Sequence, residues 1–237
     1  MATLEVCVDT FAGAQTAIKA GAGRIELCAA LSEGGLTPSA GLMRAAANLP
    51  VPCYAMIRPR SGLFYFSEVE TDIMFADIAT AREAGLSGVV LGAQTSQGNL
   101  DEPLLARLIA AAGDLGKTLH RVIDVVPDPL VALDQAIKLG FERVLTSGAQ
   151  PNAPDGISLI QEMVKRSEGK ISVMPGGGLT PDNVADVISA TGVSEVHASC
   201  WAPEPEDTAF SDFDPHGGRF TTSLEEVQRM ISACGVD

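Results

Sequence analysis

The sequence predicts a single α/β domain over residues 1–237, a (β/α)₈ barrel of the TIM-barrel class. Two observations support this prediction. Short apolar runs rich in β-branched residues alternate along the chain with segments of helical period, and eight such pairs can be counted. Each pair takes roughly 30 residues, so eight of them approach the ~250 residues typical of this barrel. No linker interrupts the series, and residues 201–222 are interpreted as a variable loop before the last helix.

The predicted strands follow one another in a regular order. They are LEVCV from residue 4, RIELC from 24, CYAMI from 53, GVVLG from 88, TLHRVI from 118, RVLTS from 143, ISVMP from 171 and EVHAS from 195. A doubly wound open sheet is the alternative architecture. It normally has fewer strands and a glycine-rich turn after the first one, and the segment VDTFAGAQ does not provide that turn.

Helix boundaries between these strands support the same alternation. The expected signals are a capping box, helix starts at Thr-Pro pairs, and glycine stops at helix C-termini. They occur at Ser67 with Glu70, at Thr37-Pro38 and Thr180-Pro181, and at Gly85 and Gly140.

Charge and composition exclude several classes of function. The formal net charge of -14 disfavours nucleic acids and anionic membrane surfaces as partners, because binding to them depends on clustered Lys and Arg. No window approaches the ~20 apolar residues that a membrane-spanning helix needs. The N-terminal stretch MATLEVCVDT lacks the features of a secretory signal, so we expect a cytoplasmic protein. Its five cysteines are then expected to be free thiols.

Polar residues gather where the predicted strands end, which is where barrel enzymes carry their chemistry. Parallel strands buried on both faces are otherwise nearly continuous in apolar residues, so these residues predict a functional site. They are Glu5, Cys7, Glu26, Cys28, Arg58, Arg60, His120, Asp124, Ser147, Gly176, Gly177, Gly178 and His197.

Several of these stretches resemble the CutC family, which is named for copper homeostasis. The stretches are EVCVD, RIELC with LSEGGLTPS, MIRPR, HR followed by Asp124 and DP, RVLTSG, and MPGGG. They occur in order from strand one to strand eight, over roughly residues 4–199. The resemblance implies a cytoplasmic TIM barrel that self-associates and is linked to copper, and it implies no particular reaction.

The residues themselves allow a copper(I) site at Cys7 and Cys28. Side chains alternate along a strand, so Glu5 shares a face with Cys7, and Glu26 shares one with Cys28. Carboxylates are costly to bury against helices, so both pairs are expected to point into the barrel. Adjacent strands lie about 4.8 Å apart, a spacing at which one soft metal ion can bridge two thiolates. The competing interpretation is that the thiols are small buried hydrophobes.

A second hypothesis is an enzyme that acts on a small anion carrying phosphate or carboxylate. Glu5 and Glu26 would form an acid/base pair on adjacent strands, with His120 and His197 transferring protons. The remaining strand-end residues would bind the substrate: a clamp of arginines, polar groups, and a glycine loop at a helix N-terminus. These are Arg58, Arg60, Asp124, Ser147, Gly176, Gly177 and Gly178. The sequence leaves open whether the mouth holds a metal ion or an organic anion.

Overall fold

Eight parallel strands form the inner layer of the structure, a computed structural model that describes residues 2–204 and 220–235. The strands are β1 Thr3–Val8, β2 Arg24–Leu27, β3 Cys53–Met56, β4 Gly88–Leu91, β5 Gly116–Leu119, β6 Arg143–Thr146, β7 Ser172–Pro175 and β8 Glu195–Ala198. From β1 to β7 each strand pairs with the next one in sequence, and β8 returns to pair with β1. A parallel bridge between Gly176 and His197 joins β7 to β8 and nearly closes the barrel. The predicted fold class is confirmed.

Within the described residues, eight α-helices cover the outside of the sheet. They are α1 Phe11–Ala20, α2 Ala40–Ala46, α3 Glu68–Ala84, α4 Glu102–Ala112, α5 Pro129–Leu139, α6 Ile157–Ser167, α7 Val184–Thr191 and α8 Leu224–Ala233. One large apolar cluster fills the space between the strands and these helices, and it contains Cys53 and Cys234. Among the helices of the described chain, none is long and apolar enough to cross a membrane.

The predicted helix boundaries are confirmed at three of the five positions. Ser67 and Glu70 make both bonds of a capping box, and Gly85 and Gly140 end α3 and α5 in the left-handed conformation. The Thr37-Pro38 prediction is wrong, because the Thr37 hydroxyl accepts a hydrogen bond from the Arg58 N–H and Ser39 caps α2 instead.

The Thr180-Pro181 prediction is wrong as well. Asn183 is the N-cap residue of α7, and its side chain accepts a hydrogen bond from the Thr180 N–H. Thr180 therefore lies in the turn before the helix rather than at its N-cap.

The segment predicted as a variable loop begins and ends with short strands. β9 Trp201–Pro203 pairs antiparallel with β10 Phe220–Thr222. The rings of Trp201 and Phe220 stack with their centroids 5.9 Å apart. The part of the predicted loop between residues 205 and 219 lies outside the described residues.

Tyr54 fills the barrel interior because two neighbouring strands carry glycines beside it. A Cβ atom at Gly88 would lie 2.2 Å from the tyrosine ring, and one at Gly116 would lie 2.1 Å from its hydroxyl oxygen. Larger residues at either position would therefore expel the ring from the barrel.

Candidate functional site

A cavity of about 500 Å³ opens at the C-terminal ends of the strands, and we call it the mouth cavity. Its lining combines ionisable groups from five strand ends with an apolar wall and a glycine loop. The residues are Cys7, Glu26, Leu31, Gly34, Met56, Arg58, Phe64, His120, Arg121, Leu145, Gly177, Gly178, Leu179, Thr180, His197, Ala198, Ser199 and Trp201. The volume lies within the ~300–1,000 Å³ range of small-molecule sites.

Below the mouth cavity, three charged side chains and a tyrosine form a second group that we call the floor cluster: Arg24, Arg143, Glu195 and Tyr54. The Glu195 carboxylate pairs with Arg24 at 3.1 Å and with Arg143 at 2.5 Å. The Tyr54 ring lies against both guanidinium groups, with their Cζ atoms 5.8 and 5.3 Å from its centroid. Arg24 and Arg143, although buried, thus have an opposite charge in contact.

Glu5 connects the floor cluster to the mouth cavity. Its carboxylate forms an ion pair with Arg24, and its Oε1 lies 2.8 Å from Nδ1 of His197. Burial alone would raise the pKa of Glu5, but the hydrogen bond to His197 and the charge of Arg24 outweigh it and lower the pKa to about 2. Glu5 is therefore ionised and fixes the orientation of the His197 ring.

Glu26 has a different environment, although it lies on the adjacent strand. Burial, with the charge of Glu5 as a further contribution, raises its pKa. Its Oε2 accepts a hydrogen bond from the Cys28 thiol at 3.5 Å and lies 3.8 Å from Nε2 of His197. Its Oε1 is buried and has no hydrogen-bond partner among the residues described.

Cys7, Glu26 and His197 offer one metal-ligand atom each, and these atoms lie within 4.8 Å of one another. Burial opposes protonation of His197, but the neighbouring charges of Cys7 and Glu26 raise its pKa well above the usual value. Cys28 is fully buried beside Met56, and burial followed by the charge of Glu26 raises the pKa of its thiol. The structure thus groups Cys7 with a carboxylate and an imidazole, and leaves Cys28 bonded to Glu26 outside that group.

Arg58 lies at the cavity wall and hydrogen-bonds to the loops after β2 and β3, which form the rim of the cavity. Its Nη1 donates to the carbonyl oxygens of Glu33, Gly34 and Gly35, each at 3.2 Å, and its Nη2 donates to that of Gly62 at 3.0 Å. Its Nε is buried and has no partner in the described chain. The side chain is therefore fixed by two loops and retains one free donor.

His120 faces the same cavity from the end of β5. Its Nδ1 accepts a hydrogen bond from the Val122 N–H at 3.1 Å, and its Nε2 is buried without a partner within the residues described. Burial, reinforced by the charge of Arg58, lowers its pKa to about 3, so the ring is neutral. Gly92 leaves room for the ring, since a Cβ atom there would lie 2.0 Å from its Cε1.

Arg60, Asp124, Ser147 and Gly176 do not line the cavity. Arg60 forms an ion pair with Glu70 and donates to backbone carbonyls of its own loop. Asp124 accepts hydrogen bonds from the Ser147 and Ala149 N–H groups, and it forms an ion pair with Arg121 at 2.9 Å. Gly176 forms the bridge between β7 and β8. Of the predicted substrate-binding residues, the structure brings Arg58, Gly177 and Gly178 to the cavity.

The sequence did not indicate the apolar wall or the floor cluster. Phe64 lines the cavity from the loop after β3, and Trp201 lines it from β9, in the segment that the sequence predicted as a variable loop. Arg24, Arg143 and Glu195 each begin a strand, and a charged residue at the start of a buried strand is a signal that could have identified them.

Comparison with known proteins gives a consistent result. The CutC family matches residues 2–202 of this chain. A family protein CutC from Rhizobium meliloti is 49% identical over 203 residues, which cover 86% of this chain and 83% of the relative. The copper homeostasis protein cutC homolog of Mus musculus is 44% identical over 197 residues, covering 83% of this chain and 72% of the relative.

Solved structures agree at the level of the fold. A putative copper homeostasis protein CutC from Streptococcus agalactiae superposes with a TM-score of 0.81 at 32% identity, covering 84% of this chain and 99% of that one. Phosphoribosyl anthranilate isomerase from Thermotoga maritima has a TM-score of 0.60 at 14% identity, covering 99% of both chains, and this likeness concerns the fold alone.

Proposed function

The chain belongs to the CutC family, and from that premise we propose that it serves copper homeostasis by binding copper(I) on the Cys7 side of the mouth cavity. The observation that supports this proposal is the group of Cys7, Glu26 and His197, whose ligand atoms lie within 4.8 Å of one another. Thiolates select copper(I) among the metals available to cells, and imidazole also suits copper.

The surroundings of His197 fit a metal ligand. Metal-binding histidines usually give their second ring nitrogen to a carboxylate, which fixes the tautomer and the direction of the ring. Glu5 holds Nδ1 of His197 at 2.8 Å, so Nε2 points toward Glu26 and Cys7. In this proposal the Cys7 thiolate and His197 Nε2 are the principal donors. Cys28 is the third, after its thiol leaves Glu26.

The proposal predicts a graded loss of copper binding. Reduced protein titrated with copper(I) against a chromogenic chelator is expected to bind about one equivalent. Cys7→Ser should lose more than the roughly 10–100-fold that removal of an outer-shell partner costs, and Cys28→Ser should lose less than Cys7→Ser. Affinity should also fall as the pH drops, because the ligands must release their protons.

Cys53→Ser is the matched control. Cys53 is also a buried strand cysteine, but it packs in the apolar cluster beneath the helices. Its replacement should leave the copper affinity unchanged. Equal affinities for the wild type and all three variants would contradict the proposal.

A further inference from the structure

Unpaired polar atoms occur on three of the residues that line the mouth cavity. Within residues 2–204 and 220–235, four buried side-chain nitrogen or oxygen atoms lack a hydrogen-bond partner: Glu26 Oε1, Arg58 Nε, Thr95 Oγ1 and His120 Nε2. Glu26, Arg58 and His120 all line the mouth cavity, and they are only 3%, 8% and 3% exposed. Buried polar groups are nearly always paired, so these three atoms are hydrogen-bonding positions that a molecule bound in the cavity could use.

His120 and Arg58 both present a hydrogen-bond donor. Because Nδ1 of the neutral His120 ring accepts from Val122, the proton of that ring is on Nε2. Arg58 Nε carries a proton in every state of the protein. Both groups lie against Phe64, whose ring centroid is 4.5 Å from that of His120 and 4.9 Å from Arg58 Cζ. The two donors therefore belong to the same part of the cavity, and one of them carries a positive charge.

Glu26 completes the arrangement with an acceptor. Its Oε2 already faces Cys28 and His197, whereas Oε1 is free. A ligand that satisfies all three atoms needs an oxygen pair for the charged donor and its neighbour, and a hydroxyl group for the acceptor. Met56, Phe64 and Leu145 provide apolar contact for a short carbon skeleton between these ends.

We propose that the mouth cavity binds a small organic hydroxycarboxylate. Its carboxylate accepts hydrogen bonds from Arg58 Nε and His120 Nε2, and its hydroxyl donates to Glu26 Oε1. This site goes beyond the copper proposal and does not depend on it, because the copper donors are Cys7, His197 and Cys28 and none of them contacts the hydroxycarboxylate in this arrangement.

The test uses reduced, metal-free protein and a defined set of probes. D-glycerate, L-malate and D-gluconate are titrated by calorimetry, with glycerol, propionate and inorganic phosphate as matched controls. At least one hydroxycarboxylate should bind saturably. Glycerol and propionate each lack one of the two required groups, so they should bind about tenfold or more weakly.

Two His120 variants separate ligand binding from a structural role. In His120→Asn the side-chain oxygen can still accept from Val122, but the donor at the Nε2 position is lost. In His120→Gln the amide nitrogen lies near the Nε2 position, but the bond to Val122 is lost. We expect His120→Asn to lower the affinity for the best-binding hydroxycarboxylate about tenfold or more and to keep the melting temperature of the wild type. His120→Gln should keep the affinity and lower the melting temperature.

Arg60→Gln serves as the control for a loop arginine outside the cavity, and it should leave the probe affinity unchanged. The proposal is overturned if no hydroxycarboxylate binds, if inorganic phosphate binds as tightly as the best probe, or if His120→Asn retains full affinity. Because no copper is present, each of these results leaves the copper proposal standing.

Discussion

The floor cluster and the mouth cavity contain the same kinds of side chain inside one barrel, but they differ in how these side chains are paired. In the floor cluster Glu195 contacts both Arg24 and Arg143, and Tyr54 donates to Glu142 at 3.2 Å. In the mouth cavity three buried polar atoms lack a partner within the described ranges. A charged residue inside a barrel therefore says little about function by itself, and the unpaired atoms identify the site.

The largest effect that tests this comparison is expected in the floor cluster. Glu195→Ala would leave the charges of Arg24 and Arg143 to repel each other in a buried environment. Removing one partner of a buried ion pair typically costs about 3–5 kcal/mol of unfolding free energy, and we expect a loss of about 3 kcal/mol by urea denaturation. Asp134→Ala breaks an exposed pair with Arg166 and should have little effect. Similar losses in the two variants would show that the floor cluster does not stabilise the barrel.

A pH-dependent effect is expected from His120 in the mouth cavity. In the unfolded chain this histidine takes up a proton near pH 6.5, whereas in the folded protein burial and Arg58 delay protonation to about pH 3. Unfolding therefore becomes easier as the pH falls through this window, by about 1.4 kcal/mol per pH unit at most. His120→Asn lacks this contribution, so its unfolding free energy should decrease less between pH 6.5 and 5. Parallel pH profiles of the two proteins would show that His120 has the same pKa in the folded protein as in the unfolded chain.

The smallest effect separates two glutamates on adjacent strands. Glu26→Gln should leave the unfolding free energy at pH 7 unchanged or raise it by up to about 1 kcal/mol, because a neutral amide avoids the cost of burying a carboxylate with an unpaired oxygen. Glu5→Gln should lower it, since the charge of Glu5 is paired with Arg24. Glu5 stabilises the fold above its unfolded pKa, and this contribution disappears as the pH falls toward about 2. Equal changes in the unfolding free energy of the two variants would contradict the distinction between paired charges in the floor cluster and unpaired polar atoms in the mouth cavity.

The barrel could be predicted from the sequence because its signals are local. Each strand is a short apolar run, and helix ends such as Gly85 and the Ser67 capping box depend on residues within one or two turns. The inward direction of Glu5 and Glu26 also followed from the cost of burying a carboxylate against the helices, and their contacts with Arg24 of β2 and His197 of β8 agree with it.

The composition of the site was harder to predict because it depends on contacts between distant parts of the chain. His197 meets Glu5 only because β8 returns to pair with β1, 192 residues away in sequence. Arg60 lies beyond the end of β3, where strand alternation no longer determines which way a side chain points. Its ion pair with Glu70 of the capping box keeps the side chain outside the cavity. Pairing with remote partners thus decides which strand-end residues face the mouth.

Arg58 gives the rim a mechanical property. One guanidinium group holds the loop after β2 through three carbonyl oxygens and the loop after β3 through a fourth, so the two loops are fastened to a single side chain. A molecule that accepts a hydrogen bond from the remaining Nε proton would restrict the motion of the Arg58 side chain and of both loops. Amide hydrogen exchange in both loops would then slow when a ligand binds in the cavity. The exchange rates of these loops would therefore show whether the cavity is occupied.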